Sequence, residues 1–215
     1  MNNSTSNLHL EILDEKRNDL LQQLISSIQG FILGGGTALS LQIAHRKSFD
    51  FDFLSQKEIP KTLAEKLSRI IKIHTIANDS SDELTFFDNN QIKVTFLYYP
   101  FKPYFEIAKN THKLPLFSVK EIAIQKAYTI GRRGEYRDYF DLYTILKNKY
   151  ISLSEIVIAA EKMYQGLFNS KLFLQQLVYF DDLLSFEITP VENETLPSKD
   201  IVKQYFEHIV SKYVT

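Results

Sequence analysis

The stretch GGGTALSLQIAHRKSFDFDF, residues 34–53, constrains the fold of this chain more than any other. Before it, the apolar run Phe31-Ile32-Leu33 stops at Gly34, the pattern of a short buried strand that ends in a turn. A helical pattern follows. Thr37 is placed to cap it. Leu39 and Ile43 share one face, Ala38 and Leu41 add a second apolar pair, and Ser40 and Gln42 are the polar positions between them. A strand is then expected over 49–53, where Phe49, Phe51 and Phe53 alternate with Asp50 and Asp52. The phenylalanines are expected to enter a core. The two aspartates share the opposite face, roughly 7 Å apart along the strand. Like charges so placed repel unless a cation lies between them or water covers them.

The rest of the chain divides near residue 115. Residues 11–29 read as a helix, with Ile12, Leu20, Leu21, Leu24, Ile25 and Ile28 forming a partial stripe, and residues 61–71 as another. Residues 72–77, 83–87 and 91–99 read as strands, the last two paired as a hairpin through Asp88-Asn89-Asn90. From Ser118 onward the pattern is helical to the end. Ser118 with Glu121 and Ser152 with Glu155 fit capping boxes, and Pro197-Ser198 precedes a last helix striped by Ile201, Val202, Tyr205, Phe206, Ile209 and Val210. The expectation is an α/β half with a mixed sheet and flanking helices over 1–115, followed by a helical lobe over 116–215.

Composition narrows the chemistry. The 215 residues suffice for one good core and a smaller second lobe. No cysteine is present, which removes disulfides and thiolate zinc sites. His9, His45, His74, His112 and His208 lack ligand spacing, which argues against a zinc hydrolase. No apolar run approaches the ~18 residues of a spanning helix, and MNNSTSNLHLEILDEK lacks the basic and apolar regions of a secretory leader. A cytoplasmic protein without a membrane partner is expected. The net charge of −1 hides an uneven distribution: residues 102–150 carry ten Lys/Arg against five Asp/Glu, and residues 181–200 carry six acids and one lysine. The basic middle is either a solvated face or meets a nucleotide or nucleic acid.

Two clusters carry candidate chemistry. A glycine turn before a helix presents backbone N–H groups that suit phosphate. Gly35 and Gly36 put no side chain in a nucleotide's way, and Thr37 adds a hydroxyl. Asp50 and Asp52 could hold a hard divalent cation that keeps positions open for phosphate oxygens; the plainer reading is a tight turn and a polar strand face. Ser48 shares the parity of the aspartates, and Arg46 either grips a phosphate or braces the sheet. The second cluster lies on the apolar stripe Val119, Ile122, Ala123, Ala127 and Ile130, which Lys126 interrupts. A lysine there must snorkel, pair with an acid or reach a ligand. Asp138 and Asp141 share a face of the next helix with Leu142 and Ile145, and either could pair with Lys126 or with the neighbouring arginines. The aromatic and basic run LYYPFKPYF, 97–105, suits either a nucleic-acid clamp or a proline-broken edge loop.

The order glycine turn, helix, Asp-x-Asp strand resembles the DNA polymerase β-type nucleotidyltransferases. More closely, Gly35-Gly36-Thr37-Ala38-Leu39 followed by His45, Arg46, Ser48, Asp50 and Asp52, then Lys126, Arg132, Arg133, Arg137, Asp138, Asp141 and Leu142, is similar to the AbiEii/AbiGii-type nucleotidyltransferase toxins. The similarity covers roughly residues 30–146. It implies a polymerase β-like sheet, with a helical lobe completing the active site. It implies transfer of NMP from an NTP, with Mg²⁺ or Mn²⁺ at Asp50 and Asp52. Gly35, Gly36, Thr37, Arg46, Ser48 and Lys126 would bind the nucleotide, and Asp50, Asp52, Lys126 and Asp138 would form the catalytic set. Asp141 reads as structural. The implied acceptor is RNA, such as a tRNA 3′ end, with a toxic outcome in bacteria and a cognate antitoxin as partner. One departure stands out. Many polymerase β-type enzymes carry a third acid on a neighbouring strand, and in QIKVTFLYYP that place falls to Thr95. Two other readings stay open: NMP transfer to a partner protein's hydroxyl, for which the active site would look the same, and a nucleotide-binding module in which the missing acid means no catalysis.

Overall fold

A computed structural model of the chain describes residues 7–183, 185–192 and 195–215. Residues 1–6 of the N-terminal stretch read above, and Asn193 and Glu194 within the acidic run, lie outside them. The chain forms two compact units. One comprises residues 1–102 and 107–117, the other 103–106 and 118–215.

The first unit is a mixed sheet with helices. Among the described residues the strands are β1 (Ile32–Leu33), β2 (Phe51–Ser55), β3 (Ile73–Asp79), β4 (Glu83–Asp88), β5 (Lys93–Tyr98), β6 (Ile107–Ala108) and β7 (Leu116–Phe117), in the order β3-β4-β5-β2-β1-β7-β6. The helices are α1 (Glu15–Ile25), α2 (Gly35–Ile43) and α3 (Leu63–Ser68). β1 runs antiparallel to β2, and β2 runs parallel to β5. The alternation in the sequence sets the burial. Phe51, Phe53, Leu84, Phe86, Val94 and Phe96 are all fully buried on one face. Phe53 and Phe86 each stack with Phe96, and Phe31 meets Phe96 edge-on at 4.9 Å. The β4–β5 hairpin forms as expected, and Asp88 closes it by accepting the N–H groups of Asn90 and Ile92.

The sheet unit departs from expectation in three places. Phe49 lies outside the strand and is 43% exposed, with the Arg17 guanidinium over its ring at 4.9 Å. Pairing with β5 starts only at Phe51, opposite Val94, so the residues before it never enter the pleat. Thr37 does not cap α2, because the helix starts two residues earlier with Gly34 as its N-cap. The two-residue strands β6 and β7 were not expected, being too short for any period-2 pattern to show.

The second unit is helical: α4 (Val119–Thr129), α5 (Tyr136–Lys147), α6 (Leu153–Tyr164), α7 (Ser170–Val178) and α8 (Lys199–Val214). Its core contains Ile122, Ile124, Leu142, Ile145, Ile156, Leu177, Val202 and Phe206, with Tyr139, Phe180 and Phe206 in mutual ring contact. Ser152 and Glu155 form the full reciprocal capping box on α6, and Ser198 caps α8. The helical pattern does not run unbroken to the end: the described residues between α7 and α8 form no helix, and Pro190 and Pro197 lie in that interval.

Candidate active site

The geometry at the end of β1 follows from two glycines with different tasks. Gly34 donates its N–H to the Asp52 carbonyl at 2.8 Å, which carries the β1–β2 pairing into the turn. Gly35 then adopts φ +64°, a left-handed conformation that L side chains rarely accept. A Cβ at Gly35 would lie 2.7 Å from the Asp52 carboxylate oxygen Oδ2, so the carboxylate rests against bare backbone. A Cβ at Gly36 would run into the Arg46 guanidinium and meet Ser48 Oγ at 3.0 Å. The first-turn N–H groups of α2 have no intrahelical acceptor and carry the positive end of the helix dipole.

Around this turn the predicted residues come together within the sheet unit. Thr37 is 2% exposed, and its hydroxyl lies 2.9 Å from Ser48 Oγ and in close contact with the Asp50 carbonyl. Its single proton is thereby used to fix the segment leading into β2. Arg46 is 5% exposed and donates to the Lys47 carbonyl at 3.0 Å, with its guanidinium close against Gly36. Asp50 and Asp52 are half-buried. On β5, Thr95 stands in register with Asp52, and Thr85 of β4 pairs with Thr95 in turn. The two threonine hydroxyls are 3.2 Å apart, and Thr85 donates to Glu83 at 2.6 Å. Beside Asp52, the neighbouring strands thus present a threonine pair.

No group of three or more His, Cys, Asp or Glu among the described residues could hold a metal. Asp50 and Asp52 nevertheless suit Mg²⁺ or Mn²⁺, because such an ion needs only one or two carboxylates when substrate phosphates and water complete its shell. The bare backbone of Gly35, against which the Asp52 carboxylate rests, is compatible with that donor set.

The helical unit holds the second predicted cluster. Lys126, 5% exposed, places its ammonium 2.7 Å from Asp138 Oδ1 and 2.7 Å from Asp141 Oδ2. Arg133 forks onto Asp138, with Nε 2.7 Å from Oδ2 and Nη2 2.9 Å from Oδ1. Two cations and two carboxylates make the cluster electrically neutral. Burial by itself would raise the Asp138 carboxyl, but the charges of Lys126 and Arg133 outweigh it and hold the group below the ordinary carboxylate range. Arg132 is occupied elsewhere, stacked 3.8 Å over Tyr128 and bonded to the Leu167 carbonyl.

Spacing alone misassigned one residue. Glu121 does not close a capping box with Ser118, although Ser118 accepts its N–H. Its carboxylate is fully buried and accepts the N–H groups of Tyr104 and Phe105 at 2.9 Å each. Burial raises its pKa to about 7 despite those two bonds. The folded chain therefore binds this proton more tightly than the unfolded chain, and stability falls as pH rises from about 4.5 to about 7. Glu121→Gln is expected to flatten that slope. Urea unfolding from about pH 5 to pH 8 should show wild type losing about 2–3 kcal/mol more than the variant. Parallel curves for the two proteins would place the carboxyl's titration at its ordinary value.

A family model described as the nucleotidyl transferase AbiEii toxin of a type IV TA system matches residues 19–207. An uncharacterized protein of Aquifex aeolicus (strain VF5) is 29% identical over 212 residues, covering 94% of this chain and 98% of its own length. JHP933 from Helicobacter pylori shares the fold with TM-score 0.52 and 15% identity, over 98% of this chain and 97% of that one. MenT4, a nucleotidyltransferase toxin from Mycobacterium tuberculosis, aligns with TM-score 0.49 and 17% identity, over 66% of this chain and 59% of that one.

Proposed function

Because the chain belongs to the AbiEii nucleotidyltransferase toxin family, we propose that it transfers NMP from an NTP to a hydroxyl of an RNA acceptor, such as a tRNA 3′ end, and that a cognate antitoxin counters it. The observation that carries the reading is the Asp52 carboxylate resting on the bare backbone of Gly35, at the N-terminus of α2 and two residues from Asp50. Two tendencies support the reading: a helix N-terminus attracts phosphate, and carboxylates close to it attract a cation. A divalent cation held by Asp50 and Asp52 would neutralise phosphate charge and polarise the α-phosphorus.

The chain's own groups account for the rest. The N–H groups of Gly35 and Gly36 bind phosphate oxygens, and the Thr37–Ser48 contact and Arg46 keep that turn fixed. Lys126 belongs to the proposal as the phosphate-binding lysine, with Asp138 as the carboxylate that positions it. In the reaction the acceptor oxygen forms a bond to the α-phosphorus while the bond from that phosphorus to the β-phosphate bridging oxygen breaks. Pyrophosphate leaves, and the acceptor proton passes to water. With Thr95 beside Asp52, no third carboxylate takes part there.

The test supplies each α-³²P-labelled NTP, Mg²⁺ and total bacterial RNA to the purified protein, beside Asp50→Ala. Label in RNA with wild type alone is the expected result. Label on protein would redirect the proposal to protein NMPylation, and no label with any of the four nucleotides would overturn it.

A further inference from the structure

Residues 103–106 leave the sheet unit between β5 and β6 and pack with the helical unit instead. Glu121 holds them there. One carboxylate oxygen takes the N–H groups of Tyr104 and Phe105, and the other, Oε1, is buried with no hydrogen-bond partner among the described residues. A carboxylate taken wholly out of water is an expensive anchor for four residues in a loop. What it anchors is a display of rings and charge. Tyr104 remains 43% exposed and meets Phe105 edge-on, with centroids 5.1 Å apart. Lys162 of α6 brings its ammonium to 5.9 Å from the Tyr104 ring, and Lys120 of α4 to 5.5 Å from the Phe105 ring. Both lysines are exposed.

An exposed Tyr104 ring and a half-buried Phe105 ring, fixed at the backbone and each approached by an ammonium group, suit a ligand that alternates flat faces with negative charge. Single-stranded nucleic acid has that composition: an unpaired base offers a π-face and its neighbours offer phosphates. A duplex hides those faces. An acidic protein segment would use the lysines but gain little from the rings.

We infer that Tyr104 and Phe105, framed by Lys120 and Lys162, form a stacking platform for a single-stranded stretch of RNA. The inference rests on the RNA acceptor proposed above and adds where the helical unit grips it. Tyr104 stacks on an unpaired base, Phe105 supports the Tyr104 ring from its edge, and the two lysines meet flanking phosphates. Glu121 is a positioning residue that sets the loop.

Fluorescence anisotropy of the full chain with a labelled single-stranded RNA of about ten nucleotides, without NTP, tests this. Tyr104→Ala is expected to weaken binding roughly tenfold, within the range for loss of one stacked base, and Tyr104→Trp to restore it. Lys162→Gln is expected to lower the salt slope of log affinity by about 0.7. Circular dichroism melts identical to wild type would show that each variant folds. Equal affinity of wild type and Tyr104→Ala, equal affinity for duplex and single strand, or binding of an acidic peptide in place of RNA would each overturn the platform. Since the assay contains no nucleotide, its failure is separable from failure of the transferase reading, which rests on label transfer.

Discussion

Asp52→Asn is expected to lower the rate of NMP transfer about 10³-fold, roughly 4 kcal/mol of transition-state stabilisation, while leaving the fold intact. The side chain keeps its shape, so the Gly35 cradle and the Gly34 N–H bond to the Asp52 carbonyl remain. What is lost is one of the two negative charges proposed to hold the divalent cation at the reacting phosphorus. The response to ligand separates this from damage to the fold. With Mg²⁺ and an NTP analogue, wild type should gain stability by mass action and the variant should gain less. Single-turnover kinetics and thermal melts on the same preparations check both halves. A variant that transfers NMP at the wild-type rate would remove Asp52 from the proposed site.

The parts of this molecule that could be read from the sequence are those where a local rule leaves few options. Gly35 takes a left-handed backbone conformation that favours glycine, and a Cβ at Gly35 or Gly36 would press on the Asp52 or Arg46 side chain, which a run of glycines before a helical pattern suggests. Phe51 and Phe53 alternate with Asp52, and the alternation fixes which face is core. Lys126 drew attention because a charge on an apolar stripe must be answered, and Asp138 and Asp141 answer it.

The parts that escaped depend on partners far along the chain. Arg46 and Ser48 could be placed near the aspartates, but their contact with Gly36 exists only once α2 folds back along β2. Arg132 and Arg133 are adjacent and chemically alike, and tertiary packing alone sends one to Tyr128 and the other to Asp138. Glu121 sits three residues after a serine, the spacing of a capping box, yet its side chain serves a loop some sixteen residues upstream. Helix capping and loop anchoring compete for the same carboxylate, and here it accepts the backbone N–H groups of Tyr104 and Phe105.

The largest effect on stability is expected at Asp138. Among the described side chains it lies between two cations, Lys126 and Arg133, and it is 1% exposed. Asp138→Asn keeps the volume and one acceptor oxygen but removes the charge, so a neutral cluster, buried except at Arg133, becomes one with net charge +1. Removing one partner of a buried pair typically costs about 3–5 kcal/mol, and the amide's remaining hydrogen bonds place this variant near the lower end. The pH dependence provides the internal control. The Asp138 carboxyl titrates below its ordinary value, so its contribution is fully present above the unfolded-state pKa of about 3.9 and is lost as pH falls through the folded-state pKa. The gap between wild type and Asp138→Asn in urea unfolding should therefore be widest near neutral pH and narrow below about pH 4. A gap independent of pH would mean that shape, not charge, is what Asp138 contributes. If the gap closes as expected while Lys126→Met at neutral pH also abolishes transfer, the cluster's four charges serve two ends. They hold α4 against α5, and they keep the Lys126 ammonium in one place for the phosphate it is proposed to bind.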